Sequence, residues 1–198
     1  LVSATWGESP RHETRPWREI KKGFTKFAEG DVVVAKITPC FENGKSGIMR
    51  GLTGGVGAGT TELHVVRPIS VDADYVLLFL KSPQFVEAGI PRMTGTAGQK
   101  RVPTDYLARC PFPVPPLAEQ RRIVERVGEL MALCDRLEAV LRERDELRAS
   151  LATASHDRLT NPETPENHSA TVTRYLASLP HLYLQPQSLP ALRRFILD

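Results

Sequence analysis

Two hydrophobic periods share this chain. From Pro115 to Leu159 apolar residues recur in steps of four and three, at Ile123, Val127, Leu130, Cys134, Leu137 and Leu141. That spacing marks a helix with one apolar seam. Pro115 and Pro116 block helix before it and are tolerated in a first turn, and Glu119 suits the positive N-terminal end. Up to Arg158 there is no further proline, and Gly128 is the one glycine. The pattern predicts one long helix over residues 115–159, on the order of 60 Å from end to end. Beyond Leu141 the seam meets Arg144 and Arg148. Leu147 and Leu151 instead continue a stripe with Leu137 and Val140, so the apolar face drifts rather than keeping a strict heptad. A helix this long exceeds what a small domain covers, so the rest of its stripe calls for another helix. Two arrangements meet that need: packing on its own domain, or a spacer arm paired antiparallel with a second helix.

Before residue 115 the periods are short and mixed. Residues 1–30 are polar and irregular, with Trp6, Trp17 and a basic run at Arg15, Arg18, Lys21, Lys22 and Lys26, and read as a solvated loop or edge. Val32 to Ile37 reads as a buried strand after the Gly30-Asp31 turn, and Thr38 to Lys45 as turn residues. Ser46 to Arg50 is short and extended. Gly51, Gly54, Gly55, Gly57 and Gly59 read as a flexible hairpin loop, and Thr61 to Arg67 alternates as a strand. Helices are predicted at Asp74–Leu80 and, opened by Pro83, at Gln84–Ala88. Arg92 to Pro103 is a glycine-punctuated basic loop, Asp105 to Leu107 a turn of helix, and Cys110 to Val114 an extended lead into the long helix. The expected class is α+β: a globular domain followed by one long helix of coiled-coil type. Residues 160–171 read as a linker, followed by short helices at Val172–Leu179 and Ser188–Leu197.

Charge changes the picture only when divided along the chain. Residues 1–116 hold 15 Lys and Arg against 11 Asp and Glu, residues 117–160 hold 8 against 9, and residues 161–198 hold 3 against 3. The positive excess therefore lies in the N-terminal part, which is compatible with nucleic acid without demanding it. Cys40, Cys110 and Cys134 are odd in number and far apart, with no CxxC pair. They read as reduced structural thiols of a cytoplasmic protein rather than zinc ligands or a disulfide framework. No stretch approaches the roughly 18 apolar residues of a membrane span. Both ends, LVSATWGESP and LRRFILD, look interrupted, so a piece of a longer protein is expected.

Catalytic patterns fail on inspection. Gly44-Lys45-Ser46 resembles the end of a phosphate-binding loop, but Pro39 stands where that loop needs its first glycine. Gly55, Gly57 and Gly59 follow no strong strand and open no helix, so a dinucleotide fingerprint is unsupported. Thr38-Pro39-Cys40-Phe41 lacks the amide or carboxylate and the second proline of an amino-methyltransferase motif. Glu42 and Lys45 are misplaced for a nuclease pair. The five histidines, His12, His64, His156, His168 and His181, show no metal spacing. A binding module without catalytic or metal-ligating residues is the expectation. Its best patch is the basic loop, where Gln99, Lys100 and Arg101, with Thr96, offer phosphate donors and base-edge readers, and where Gly95 and Gly98 let the backbone approach closely. Arg92, Lys36 and Lys45 join that surface if their loops converge; otherwise it is a solvated basic loop.

Four stretches in this order, GDVVVAKITPCFENGKSGI, GAGTTELHVVRP, GTAGQKRVP and PFPVPPLAEQRRIVERVGELMALCDRLEA, resemble the specificity subunit of type I restriction–modification enzymes. The likeness covers roughly residues 24–159 and is most specific at PPLAEQRRIV. It implies that residues 1–114 are a DNA target-recognition domain, incomplete at its N-terminus. It makes 115–159 a conserved spacer helix and 160–198 a linker and the start of the next region. The resemblance further implies double-stranded DNA as ligand. It implies docking of modification subunits carrying S-adenosylmethionine and of a restriction subunit using ATP and Mg, with no cofactor in this chain. Val127, Leu130, Cys134, Leu137 and Leu141 would then pair with a second helix, from the same subunit or from a second copy in a homodimer. The competing expectation is a coiled-coil dimerisation or scaffold protein with no nucleic-acid specificity.

Overall fold

The computed structural model describes residues 9–182 apart from residue 97 and residues 161–164. The chain forms two compact units, Leu1–Met131 and Ala132–Asp198. The first opens with α1 (Trp17–Ile20) and continues as β1 (Thr25–Ala28), β2 (Val32–Ala35), β3 (Ser46–Ile48), β4 (Val56–Gly59) and β5 (Leu63–Val66). The helices α2 (Ala73–Lys81), α3 (Pro83–Gly89) and α4 (Thr104–Arg109) follow, and then α5 (Leu117–Thr160), which runs on into the second unit.

The run of β-branched residues in β2 makes it the central strand. It pairs antiparallel with β3 on one side, Val33 opposite Gly47, and with β5 on the other, Val33 opposite Val65. All four of its residues are buried. The period-two alternation divides them between two faces. Val32 and Val34 pack with Phe41, Ile48, Val76, Leu77, Leu80 and Phe85, the helical side of the core. Val33 packs with Phe27 and Met49 on the other side. Asp72 caps α2 by accepting from the Asp74 and Tyr75 N–H groups, and Ser82 caps α3 by accepting from Phe85 N–H ahead of Pro83.

Two of the sequence expectations are overturned in this unit. The glycine-rich stretch is not only a loop: β4 pairs antiparallel with β1, Lys26 opposite Ala58. A side chain at Gly57 or Gly59 would collide with the Phe27 ring or with Leu63, so their missing Cβ atoms let the apolar layer close over the strand. Likewise residues 1–30 are not wholly irregular, since they contain α1 and β1, and Lys26 Nζ sits 5.7 Å from the Trp17 ring centroid. Trp6 lies outside the described residues.

Helix α5 starts at Leu117, just past Pro116, whose carbonyl accepts from the Glu119 and Gln120 N–H groups. Its 44 residues amount to about 66 Å at the standard rise. Of the sequence-predicted seam, Ile123 and Val127 are half-buried, whereas Leu130, Cys134, Leu137 and Leu141 are exposed. The exposed residues Leu130, Leu133, Leu137, Val140, Leu147 and Leu151 keep heptad steps, with Arg144 in the one remaining place and bound to Asp145. Cys134 and Leu141 flank that line, so the face is a broad apolar band.

In the second unit, the expected linker over 160–171 is overturned in part. Helix α6 (Pro165–Leu182) begins inside it, because Pro165 is well suited to a first helical position. The predicted helix Val172–Leu179 lies within α6, and the one at Ser188–Leu197 lies outside the described residues. His156 and Tyr175 join the two helices of this unit through a hydrogen bond of 2.7 Å, next to buried Ala152.

Candidate nucleic-acid interface

The basic stretch after Arg92 is a closed hairpin rather than an open loop. Thr94 N–H donates to Arg101 O at 3.0 Å, Arg101 N–H donates back at 2.8 Å, and Gln99 N–H donates to Thr96 O at 3.0 Å. Gly95 has φ 130°, and a Cβ there would press on the Gln99 carbonyl, so glycine is required. The hairpin is laced to the chain leaving β2. Thr38 N–H donates to Lys100 O at 2.9 Å and Val102 N–H to Lys36 O at 2.8 Å, with Val102 fully in the core.

Two side chains flanking and within β5 fasten it further. Glu62 receives a fork of two bonds from the Arg101 guanidinium, both at 2.8 Å. That contact, helped by the Lys36 charge, holds the Glu62 carboxyl below its ordinary value. His64 is buried and donates from Nε2 to Val102 O at 2.9 Å. Burial pushes its pKa down, which the Val102 carbonyl opposes and the Lys36 charge reinforces. The folded chain therefore holds His64 neutral where the unfolded chain begins to take a proton. Stability should be intact above the ordinary histidine value of about 6.5 and decline as pH falls from there toward the depressed folded value. The urea midpoint of the wild type should drop between about pH 7.5 and about pH 5.5, while that of His64→Phe stays flatter. Parallel curves would show that His64 does not titrate in this window.

The six basic or polar residues singled out from sequence do not all converge. Lys36, Gln99, Lys100 and Arg101 share the laced hairpin. Gln99 and Lys100 are exposed, Lys36 is half-buried, and the Arg101 guanidinium is engaged by Glu62. Lys45 lines a hollow of about 850 Å³, which Ile37, Cys40, Arg11, His12 and Arg15 also line. Arg92 lines a different hollow, of about 740 Å³, with Phe85, Tyr106 and Arg109. Glu62 and His64 were not singled out in the sequence. The signal available was their i, i+2 spacing, which places both on one face of an extended chain. Gln120, the most deeply buried polar side chain among the described residues of α5, carries no sign of its burial in the sequence.

No family model matches the chain. Over its full length it is 42% identical to the specificity subunit of the type I restriction enzyme EcoAI from Escherichia coli, across 200 residues. It is 43% identical, across 203 residues, to the EcoEI specificity subunit from the same organism. The chain is homologous to type I restriction enzyme specificity subunits. It spans about a third of the length of these relatives, 34% in each case. The stretches of resemblance to type I specificity subunits therefore lie within an end-to-end similarity that also takes in residues 160–198. Among the described residues no group of His, Cys, Asp and Glu is arranged to hold a metal ion, and no helix is long and apolar enough to cross a membrane.

Proposed function

We propose that this chain is a reading part of a type I specificity subunit, recognising one half of a split DNA site and performing no chemistry itself. The end-to-end similarity to two specificity subunits carries this reading. The hairpin supports it. Exposed Gln99 and Lys100 stand on a backbone fixed from three sides, which is the arrangement needed to present side chains to a groove at low entropic cost. Arg101 has a second task in this reading, holding the hairpin shut through Glu62. The exposed band of α5 would receive a second helix and the modification subunits. These bring S-adenosylmethionine, and the restriction subunit brings ATP and Mg.

The test is a salt-titrated selection from random-sequence duplexes, with the modification subunit present, followed by sequencing of the bound fraction. Enrichment of a half-site supports the reading; weak, uniform binding sinks it. Within the same assay, Lys100→Ala should weaken binding and reduce the slope of log affinity against log salt by about one. The double variant Lys100→Ala with Arg101→Ala should lower affinity further and alter sequence preference, yet change the slope little more, because Arg101 is already neutralised by Glu62. A slope unchanged by Lys100→Ala would remove Lys100 from the phosphate contacts.

A further inference from the structure

Gln120 is 1% exposed, on a helix whose other polar side chains face water or rim the surface. Burying a primary amide is costly unless both its ends are satisfied. Here both are. Oε1 accepts from Asp72 N–H at 2.8 Å, and Nε2 donates to Pro115 O at 2.8 Å. Asp72 is itself the cap of α2, so one residue ties the first turn of α5 to the start of α2 and to the chain leading into α5. Arg121 lies 3.9 Å from the Asp72 carboxylate, at the periphery of the same joint. Just upstream, the Phe112 ring packs tilted against Tyr75 and edge-on against Phe79, with ring centroids 5.6 and 5.0 Å away. Two turns of α2 are thereby gripped by the segment that enters α5.

We infer that Gln120 is a positioning residue that sets the angle between the DNA-reading domain and the start of α5, and through it the separation at which a half-site can be read. The second clause rests on the proposed function; the first stands on geometry alone. An amide is suited to this task because it is directional. It fixes rotation about the helix axis as well as distance, which apolar packing of Phe112 alone does not.

Two measurements keep these clauses apart. In a variant with its cysteines replaced, spin labels at Glu87→Cys on α3 and Arg126→Cys on α5 report the angle of the joint. The distance distribution should be narrow with Gln120 and broader in Gln120→Leu, which keeps the volume and removes both bonds. Gln120→Glu keeps the acceptor and loses the donor, and should fall between them. If Gln120→Leu does not fold by circular dichroism, Gln120→Glu alone must show the broadening. An unchanged distribution overturns the joint. The complex with its modification subunits is then offered split sites differing by one base pair in spacing. Discrimination between the preferred and neighbouring spacing should fall by about tenfold in Gln120→Leu, with the selected half-site bases retained. Equal loss of affinity at every spacing would mean a merely structural role and overturn the assignment of half-site spacing to Gln120. If the wild type selects no half-site at all, the proposed function fails while the spin-label result on the joint still stands.

Discussion

Replacing Asp31 by alanine should destabilise the N-terminal unit by about 2–3 kcal/mol, read as a lower urea midpoint with an unchanged slope. The Asp31 side chain is 2% exposed, and its carboxylate is shared by three donors. Arg67 Nε reaches Oδ1 at 2.8 Å, Arg67 Nη2 reaches Oδ2 at 2.7 Å, and Ala28 N–H reaches Oδ2 at 2.8 Å. Asp31 thus closes the turn from β1 to β2 and ties it to the residue just after β5, joining both sheets. Arg67 itself is largely exposed and can return to water, so the loss should be smaller than for a pair buried on both sides. The stranded Ala28 N–H cannot rehydrate so easily. Asp31→Asn, which keeps an acceptor but no charge, should lose less. The Arg67 bonds hold the Asp31 carboxyl below its ordinary value, against the cost of burial. Its stabilisation is therefore present above about pH 4 and is lost as pH falls through the lowered folded value. Asp31→Ala should accordingly show a shallower acid limb than the wild type. Equal midpoints at neutral pH would refute the clamp.

The elements legible from the chain alone were those whose causes are local. The Pro115-Pro116 stop and the long run without proline announce α5 within a couple of residues. Asp72 and Ser82 sit where helix caps belong, and the valines of β2 can hardly be anything but a buried strand. The misses have distant causes. β1 is four ordinary residues, TKFA, and becomes a strand only because Gly57 and Gly59, some thirty positions on, leave room for Phe27. The basic hairpin looked like a free loop because its fasteners, Glu62 and His64, lie 39 and 38 residues from the atoms they hold. For the same reason Arg101 read as a free cation. Gln120 on a charged helix reads as solvent-facing until Asp72, 48 residues earlier, arrives beside it. Polar residues carry no sign of their partners in one dimension, whereas apolar periodicity carries its own.

That asymmetry makes the exposed band of α5 the most testable part of the chain, since its apolar residues recur in heptad steps from Leu130 to Leu151 and stand exposed. Leu137 is 58% exposed, with Leu130, Leu133 and Val140 on the same side of the helix. Leu137→Glu should leave the stability of the N-terminal unit within about 0.5 kcal/mol of wild type, because the position is exposed and belongs to the other unit. Its association with a second helix should weaken by about 3 kcal/mol or more, upwards of a hundredfold. The change removes a leucine's burial and leaves a carboxylate to be desolvated in its place. Asp135→Asn, almost half a turn away around the helix, should associate as the wild type does. Light scattering on the chain alone and co-purification with a modification subunit read different occupants of the same band. Loss in scattering alone would point to a homodimer, and loss in co-purification alone to the complex. Wild-type behaviour of Leu137→Glu in both would mean that the heptad line from Leu130 to Leu151 faces water in the assembly.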